Sequence, residues 1–145
     1  MKILFVCTGN TCRSPMAQAW AQAYAERRGL AHVTADSAGM MCFGASPMAR
    51  NAELALLEQG VVFSHTAQGL TLAMLAECDA VVTMTHAQKD ALSARVAADK
   101  LYCLGDFHAC GEIDDPYGGD METYRKTCAQ IREAVAAWMD KFCAK

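Results

Sequence analysis

The sequence predicts an α/β fold, a three-layer sandwich in which helices cover both faces of a central four-stranded parallel sheet. Short segments with the composition of strands alternate along the chain with segments of helical periodicity. Such alternation implies right-handed crossovers between strands that run parallel. The chain has 145 residues, the length of one ordinary domain, and no linker or repeat interrupts it. We therefore expect a single domain over residues 1–145.

Four short segments are the predicted strands. Residues 3–6 form the apolar run Ile-Leu-Phe-Val, which is typical of a strand covered by helices on both faces. The other three predicted strands are residues 32–36, 80–84 and 100–104. Residues 61–63 form a further short extended piece.

Five segments are predicted to be helices. The first begins near Ser14 and Pro15, two residues that suit a helix start, and it ends before Gly29. The next three predicted helices are residues 47–59, 71–77 and 86–95. The last helix is the clearest, because its apolar residues recur at steps of three and four. These residues are Tyr124, Cys128, Ile131, Val135, Trp138 and Phe142.

The composition argues against several classes of function. A net charge of −3 and a pI near 5.7, with basic residues scattered along the chain, disfavour nucleic-acid binding. No apolar run approaches the length that spans a bilayer, so we predict no membrane partner. The first strand follows Met1 and Lys2 directly, which leaves no room for a signal peptide. We expect a cytoplasmic protein.

Eight cysteines and four histidines raise the question of disulfides or a metal site. The cysteines show no disulfide framework, and the expected compartment is reducing. No Cys-x-x-Cys pair occurs and the histidines do not fall at ligand spacings, so we predict neither a metal site nor a cofactor. Most of six cysteines are interpreted as small apolar residues of the interior. The six are Cys42, Cys78, Cys103, Cys110, Cys128 and Cys143.

The segment from Cys7 to Pro15, Cys-Thr-Gly-Asn-Thr-Cys-Arg-Ser-Pro, lies on the predicted loop between the first strand and the first helix. Backbone N–H groups of a tight loop and of a helix start form an anion-binding concavity. The same donors, together with the Arg13 guanidinium, favour a nucleophilic Cys7 thiolate. Arg13 can also hold two oxygens of a tetrahedral oxyanion. Gly9 permits a positive φ, and Asn10 tolerates one while its side chain braces the loop.

This segment resembles the signature of the low-molecular-weight protein tyrosine phosphatase family, Cys-x-Gly-Asn-x-Cys-Arg-Ser-Pro. The resemblance implies a flavodoxin-like, Rossmann-like fold of the phosphotyrosine protein phosphatase I-like type. It implies that Cys7 is the nucleophile, that Arg13 binds the phosphoryl group, and that Ser14 hydrogen-bonds to the thiolate. The implied phosphate-binding residues are Thr8, Gly9, Asn10, Thr11, Cys12 and Ser14.

Two further motifs match the family and are expected beside this loop. Ser37 opens a Ser-Ala-Gly segment after the second strand. Ser64 and His65 stand where the family has a Ser-His pair that supports the phosphate loop from behind. From the residues alone, a helix N-cap followed by a surface histidine is an equally good interpretation of that pair. Gln68 replaces a basic residue that family members often carry.

An acidic loop between the fourth strand and the last helix contains Asp114, Asp115, a proline and Tyr117. By itself it is typical of a solvated loop. The family places an Asp-Pro-aromatic segment here, so the resemblance assigns the general acid to Asp115 and the cleft entrance to Tyr117, with Asp114 as the alternative acid. Ligands of parallel sheets bind at the carboxyl ends of the strands, so this loop should meet Cys7 and Ser37 at one edge.

The implied reaction is a metal-free hydrolysis of phosphorylated protein side chains in two steps, through a phosphocysteine. Inorganic phosphate is the expected product and inhibitor. Two interpretations of Cys12 remain open. It either forms a reversible disulfide with Cys7 on oxidation or only packs the loop.

Within the family, one branch hydrolyses phosphoarginine instead of phosphotyrosine. The sequence resembles that branch at residues 7–12, 83–86 and 115–119. Thr11 stands where tyrosine-specific members tend to carry a bulkier aliphatic residue, while Tyr117 suits either substrate. We slightly favour phosphoarginine.

Two alternatives come from other functional classes. An arsenate-reductase branch of the family uses an additional cysteine pair after the third strand. This chain has Thr85 and Leu92 at those places, although Cys103 and Cys110 lie further on. A non-catalytic phosphate-binding module is the second alternative, but such a module needs neither a thiolate nor an acid.

Overall fold

The computed structural model describes residues 1–109 and 111–143. Its centre is a sheet of four parallel strands in the order β2-β1-β3-β4. The strands are β1 (Lys2–Cys7), β2 (Thr34–Gly39), β3 (Ala80–Thr83) and β4 (Leu101–Cys103). Each of them was expected near its observed place. The predicted parallel sheet with helices on both faces is therefore confirmed.

Within the described residues the chain forms five α-helices, each overlapping a predicted one. They are α1 (Arg13–Arg28), α2 (Arg50–Glu58), α3 (Leu72–Glu77), α4 (His86–Leu92) and α5 (Met121–Phe142). Helices α1, α2 and α5 share one apolar core with one face of the sheet. Helices α3 and α4 cover the other face. The layers follow the order predicted from the alternation of strands and helices.

The side chains of β1 alternate between the two cores. Ile3 and Phe5 pack with α1 and α5, while Leu4 and Val6 pack with α3 and α4. This alternation follows from the two-residue period of a strand, and it explains why a strand with both faces covered is apolar throughout. β1 is fixed by pairing on both sides, so its last residue, Cys7, has a well-defined position.

The second strand runs later in the sequence than residues 32–36. It starts at Thr34 and continues to Gly39, because β1 pairs with it residue by residue as far as the Cys7–Gly39 pair. Ser37 therefore lies within the strand, opposite Phe5, and not after it. Ser37 is thus part of the sheet and lies beside the carboxyl-terminal half of β1.

Several helix boundaries also differ from the prediction. Ser14 does not cap α1, which begins at Arg13 after Cys12 without a side-chain cap. Helix α2 begins at Arg50 because the preceding residues bind an extended segment instead: the Met48 N–H donates to the His65 carbonyl at 2.8 Å. Helix α4 ends at Leu92. Residues 61–63 join no strand of the described chain.

Among residues 1–109 and 111–143, no helix combines the length and the apolar character required to cross a bilayer. The interpretation of Cys110 as an interior residue, or as a redox partner, falls outside the described residues. The single-domain organisation over residues 1–145 stays a prediction.

Candidate active site

The loop that joins β1 to α1, residues 7–13, forms a cradle at the carboxyl edge of the sheet; we call it the cradle loop. Cys7 is the last residue of β1 and its side chain is buried. Its Sγ lies 2.9 Å from Ser14 Oγ and accepts the Asn10 N–H at 3.3 Å. Hydrogen-bond donors directed at one sulfur stabilise a thiolate there.

Asn10 holds the loop in its curved shape. It is the non-glycine residue with a positive φ, 58°, among the residues described. Its amide Nδ2 donates to Ser14 Oγ at 2.8 Å and to Ser37 Oγ at 3.1 Å. Its Oδ1 accepts from His65 Nε2 at 2.7 Å and from the Gln68 N–H at 2.9 Å. Of the two residues expected to accommodate a positive φ, Gly9 and Asn10, Asn10 is the one that adopts it.

Arg13 connects the cradle loop to the acidic loop. Its guanidinium is buried, donates from Nη1 to the Ile113 carbonyl at 3.0 Å, and places Nη2 3.6 Å from Asp115 Oδ2. The Ile113 N–H in turn donates to the Met84 carbonyl at 3.1 Å, beyond the end of β3. The acidic loop is thus tied both to the sheet and to the arginine of the cradle loop.

Asp115 is held over the cradle while remaining accessible. Its side chain is half exposed, and its Oδ1 accepts the Tyr117 N–H at 3.1 Å. Pro116 between them is buried, while Tyr117 is exposed. Asp114 is also exposed but does not line the cleft. The geometry therefore favours Asp115 over Asp114 as the acid that reaches a bound phosphoryl group.

The cradle loop and the acidic loop together enclose a cleft of about 240 Å³. Nine residues line it: Cys7, Thr8, Gly9, Asn10, Thr11, Cys12, Arg13, Asp115 and Tyr117. Two larger surface grooves, of about 430 and 350 Å³, lie beside the later turns of α1. They are lined by neither cysteine nor histidine, so of these three the smaller cleft is the one that contains cysteines.

The family model described as "Low molecular weight phosphotyrosine protein phosphatase" matches residues 2–145. The chain belongs to this family. Among curated relatives, a protein-arginine-phosphatase of Bacillus subtilis is 36% identical, over 93% of this chain and 92% of its own length. A probable low molecular weight protein-tyrosine-phosphatase of Ralstonia solanacearum is 34% identical, over 98% of this chain and 96% of its own length.

A solved structure shows the same likeness in three dimensions. The YwlE arginine phosphatase, in a mutant form with a phosphorylated active-site serine, matches with a TM-score of 0.88 and 33% identity. The match covers 100% of this chain and 97% of that one. The chain is therefore a cysteine-dependent protein phosphatase with a flavodoxin-like fold, and its likeness extends to the arginine-phosphatase branch.

A polar network behind the cradle loop of the phosphatase contains both residues expected there. Ser37 Oγ donates to Gln18 Oε1 at 2.7 Å and lies 3.5 Å from His65 Nε2. Burial lowers the pKa of His65, with Asp36 opposing the shift, so burial favours the neutral imidazole. Of the two interpretations of His65, these contacts agree with the one in which His65 supports the cradle loop from behind.

The carbonyl groups of the cradle loop are bound from outside the cleft. The carbonyls of Cys7 and Thr8 accept the N–H groups of Met40 and Met41, each at 2.9 Å. The Thr11 carbonyl accepts the Ala49 N–H, also at 2.9 Å. These bonds hold the carbonyl groups away from the cleft, as an anion site requires.

Cys12 has a different environment from Cys7. Its Sγ lies 3.3 Å from the Tyr124 hydroxyl of α5. Burial raises the pKa of Cys12, an effect that hydrogen bonds from Tyr124 and Thr11 only partly offset. Burial thus favours the thiol form of Cys12 over the thiolate. A reversible disulfide with Cys7 stays a prediction.

Three glutamines support the site, a role that the sequence did not predict for any of them. Gln18 and Gln68 bind Ser37, the latter donating from Nε2 to the Ser37 carbonyl at 2.8 Å. Gln88 donates to Thr8 Oγ1 at 3.2 Å and completes a capping box with Thr85. Only the capping box has a signal in the sequence, a Thr followed three residues later by Gln at a helix start.

Proposed function

We propose that the phosphatase removes phosphoryl groups from protein side chains in two steps, with Cys7 as the nucleophile and a phosphocysteine as the intermediate. The observation that carries this proposal is the position of Cys7 Sγ in the cleft, between Ser14 Oγ at 2.9 Å and the Asn10 N–H at 3.3 Å. A thiolate so held attacks a phosphoryl group bound in the cradle loop.

In the first step, Cys7 Sγ forms a bond to phosphorus as the bond from phosphorus to the leaving atom breaks. The leaving atom receives that electron pair and takes a proton from the Asp115 carboxyl group. Arg13 and the loop N–H groups hold the equatorial oxygens, whose charge they stabilise without rearrangement. The contact of Arg13 with Asp115 at 3.6 Å supports this assignment, because it places the Asp115 carboxyl group in the same cleft as the cradle loop.

In the second step, Asp115 accepts a proton from water, and that water attacks the phosphocysteine. The bond between phosphorus and sulfur breaks, and its electron pair returns to Cys7, where Ser14 stabilises the thiolate. Inorganic phosphate leaves the same cradle that held the substrate, so it inhibits by competing for it. Every proton and electron pair is supplied by Cys7, Asp115 and water, and no metal is required.

We further propose that phosphoarginine is the preferred substrate. Thr11 lines the cleft and presents a hydroxyl and a methyl group, where a larger aliphatic side chain would pack on an aromatic ring. A hydroxyl can hydrogen-bond to the N–H groups of a guanidino group. The likeness to protein-arginine-phosphatases of Bacillus subtilis and Geobacillus stearothermophilus supports this preference. The exposed Tyr117 at the cleft suits either substrate.

The two-step proposal is tested by phosphate release from phosphoarginine and phosphotyrosine peptides, with Cys7→Ser as the blank. We expect release by the wild-type protein and none by the blank. Acid quenching during turnover, followed by mass spectrometry, should show one added phosphoryl group on the peptide that contains Cys7. Release without that adduct at any time would contradict the phosphocysteine. No release from either peptide, together with loss of thiols on addition of arsenate, would favour the arsenate-reductase alternative.

The substrate preference is tested with two matched changes at Thr11. Thr11→Val keeps the branched shape and removes the hydroxyl, whereas Thr11→Ser keeps the hydroxyl and removes the methyl group. We expect Thr11→Val to lower kcat/KM for phosphoarginine relative to phosphotyrosine by roughly tenfold, the value of one lost hydrogen bond. Thr11→Ser should retain the wild-type preference. Equal ratios in both variants would contradict a role for the hydroxyl.

A further inference from the structure

A second cluster of chemically reactive side chains lies outside the cleft, at the end of β4. His86, Cys103 and Asp106 each offer one nitrogen, sulfur or oxygen atom, and these three atoms lie within 4.8 Å of one another. None of the three residues lines the cleft, and the proposed reaction uses none of them. They therefore form a site separate from the active site; we call it the His-Cys-Asp cluster.

Three different elements bring the cluster together. His86 is the first residue of α4, Cys103 is the last residue of β4, and Asp106 follows in the tight turn at residues 104–107. Because β3 and β4 are paired neighbours, the residues that leave their carboxyl ends lie side by side. The sequence spacing of 17 and 3 residues matches no familiar ligand motif, which is why the sequence predicted no metal site.

Cys103 is the buried member of the cluster. Its residue is fully buried, so its position is fixed by the sheet. Burial raises the pKa of the Cys103 thiol, and the backbone of Gly105 only partly offsets this effect. Cysteine binds a metal as the thiolate, so a metal at this site must displace the proton of the sulfur.

His86 is oriented by two carboxylates. Its Nε2 lies 2.6 Å from Asp106 Oδ1, and its Nδ1 lies 3.1 Å from Glu112 Oε1. Glu112 also accepts the His86 backbone N–H at 2.6 Å. A carboxylate bonded to one ring nitrogen while the other faces further ligands is the usual outer-shell arrangement of a metal-binding histidine. Glu112 thus directs Nε2 toward Asp106 and Cys103.

We propose that the His-Cys-Asp cluster binds a divalent transition-metal ion of the Zn²⁺ class through His86 Nε2, Cys103 Sγ and one Asp106 oxygen. A thiolate with an imidazole and a carboxylate is a donor set that suits Zn²⁺ or Co²⁺ and not Mg²⁺ or Ca²⁺, which prefer oxygen ligands. Three protein ligands leave a fourth position for water.

The exchange of protons for metal balances in charge. The two protons that a metal ion would replace are that of His86 Nε2 in the charged imidazolium and that of the Cys103 thiol, beside the Asp106 carboxylate. Binding releases these two protons and places one divalent ion between the same atoms, so the net charge of the cluster is unchanged. Metal–ligand bonds of about 2.0–2.3 Å require the ligand atoms to approach to within roughly 4 Å of one another. The exposed side chains of His86 and Asp106 can make that adjustment.

The proposal is tested with Co²⁺ as the probe, because a thiolate bound to Co²⁺ gives a sulfur-to-metal charge-transfer absorption that a hydrated ion lacks. The titration uses the Cys7→Ser protein, so that the active-site thiol makes no contribution. We expect one equivalent of Co²⁺ to produce the absorption, and added Zn²⁺ to remove it by competition. The absence of any such absorption overturns the proposal.

Variants assign the absorption to the cluster. Cys103→Ser should abolish it, and Glu112→Gln should weaken Co²⁺ binding about tenfold by releasing the ring. Since Cys103→Ser can also disturb folding, the deciding variants are His86→Gln and Asp106→Asn, which change exposed side chains. Both should weaken binding strongly.

Matched controls are His32→Gln, Asp99→Asn and Cys128→Ser, whose side chains lie elsewhere. Absorption that persists in His86→Gln and Asp106→Asn overturns the proposal.

Discussion

Asn10 shows how much of the cradle loop depends on one side chain. Its amide has two donors and a carbonyl oxygen with two lone pairs, and all four are used in hydrogen bonds. The residue is fully buried, so each lost bond would leave a polar group without water. Asparagine also tolerates the left-handed backbone that the turn requires. Glycine would keep that backbone but would lose all four side-chain bonds.

The acid role proposed for Asp115 leads to a prediction for Asp115→Asn. The amide keeps the size of the side chain but cannot give up or accept the proton of either step. We expect the rate of phosphate release to fall by roughly 10²- to 10⁴-fold, the usual contribution of a positioned acid or base. Steady-state phosphate release from the peptide that the wild-type protein hydrolyses faster measures the loss.

Asp114→Asn is the matched control, since it makes the same chemical change one residue earlier on a side chain that does not line the cleft. Its rate should remain close to that of the wild-type protein. A larger loss in Asp114→Asn than in Asp115→Asn would exchange the roles of the two aspartates.

At the scale of elements, the end of β2 determines the shape of the cradle loop. Gly39 pairs with Cys7 at the carboxyl edge of the sheet. A Cβ at Gly39 would lie 2.8 Å from the Thr8 carbonyl oxygen and 3.1 Å from Asn10 Cβ. Both atoms belong to the cradle loop, so the loop lies too close to β2 for any residue with a Cβ at position 39.

We therefore predict that Gly39→Ala moves the cradle loop. A displacement of about 1 Å at a phosphoryl-transfer site lowers the rate by roughly 10²-fold. The inserted methyl group should also reduce the free energy of unfolding by about 1–3 kcal/mol, because a backbone carbonyl cannot rotate away as a side chain can. Peptide dephosphorylation and urea unfolding measure the two effects.

Gly44→Ala is the control for this prediction, because no atom lies within 4 Å of its added Cβ and the glycine has no positive φ. Both its activity and its unfolding should match those of the wild-type protein. Wild-type activity in Gly39→Ala would instead show that the loop can move back without cost.

At the scale of the whole molecule, the titration of two histidines connects pH to stability with opposite signs. Burial lowers the pKa of His65 below its ordinary value. The unfolded chain then takes up a proton near pH 6.5 that the folded chain does not, so stability should fall as the pH decreases through about 6.5. The loss levels off below the lowered pKa of the folded state. His65→Gln should remove this dependence while an amide retains a donor toward Asn10.

His86 provides the opposite case. A hydrogen bond to Asp106 raises the pKa of His86. Its stabilising contribution is fully present below about pH 6.5 and is lost as the pH rises through the raised folded value. Urea unfolding of wild type, His65→Gln and His86→Gln between about pH 5 and pH 8, with a chelator present, measures both contributions. Difference curves of the same sign would contradict these pKa directions.

The sequence by itself determined the class of fold and the family, and it named the residues that line the cleft. Strands with both faces covered are apolar throughout, and the helix stripes of α5 repeat every three or four residues, so local composition is enough to order the layers. The cradle loop could also be predicted, because its residues are contiguous in sequence. All nine residues that line the cleft, Cys7 to Arg13, Asp115 and Tyr117, were named from the motifs and the family resemblance.

The tertiary structure decided what depends on contacts between distant segments. The register of β2 follows from its pairing with β1, which no local pattern in residues 32–39 specifies. The positive φ falls on Asn10, not Gly9, because Ser37, His65 and Gln68 converge on its amide from later in the chain. The His-Cys-Asp cluster exists only because β3 and β4 end side by side. Hydrogen bonds and ligand sets join whichever residues the fold brings together, and their spacing along the sequence is not constrained.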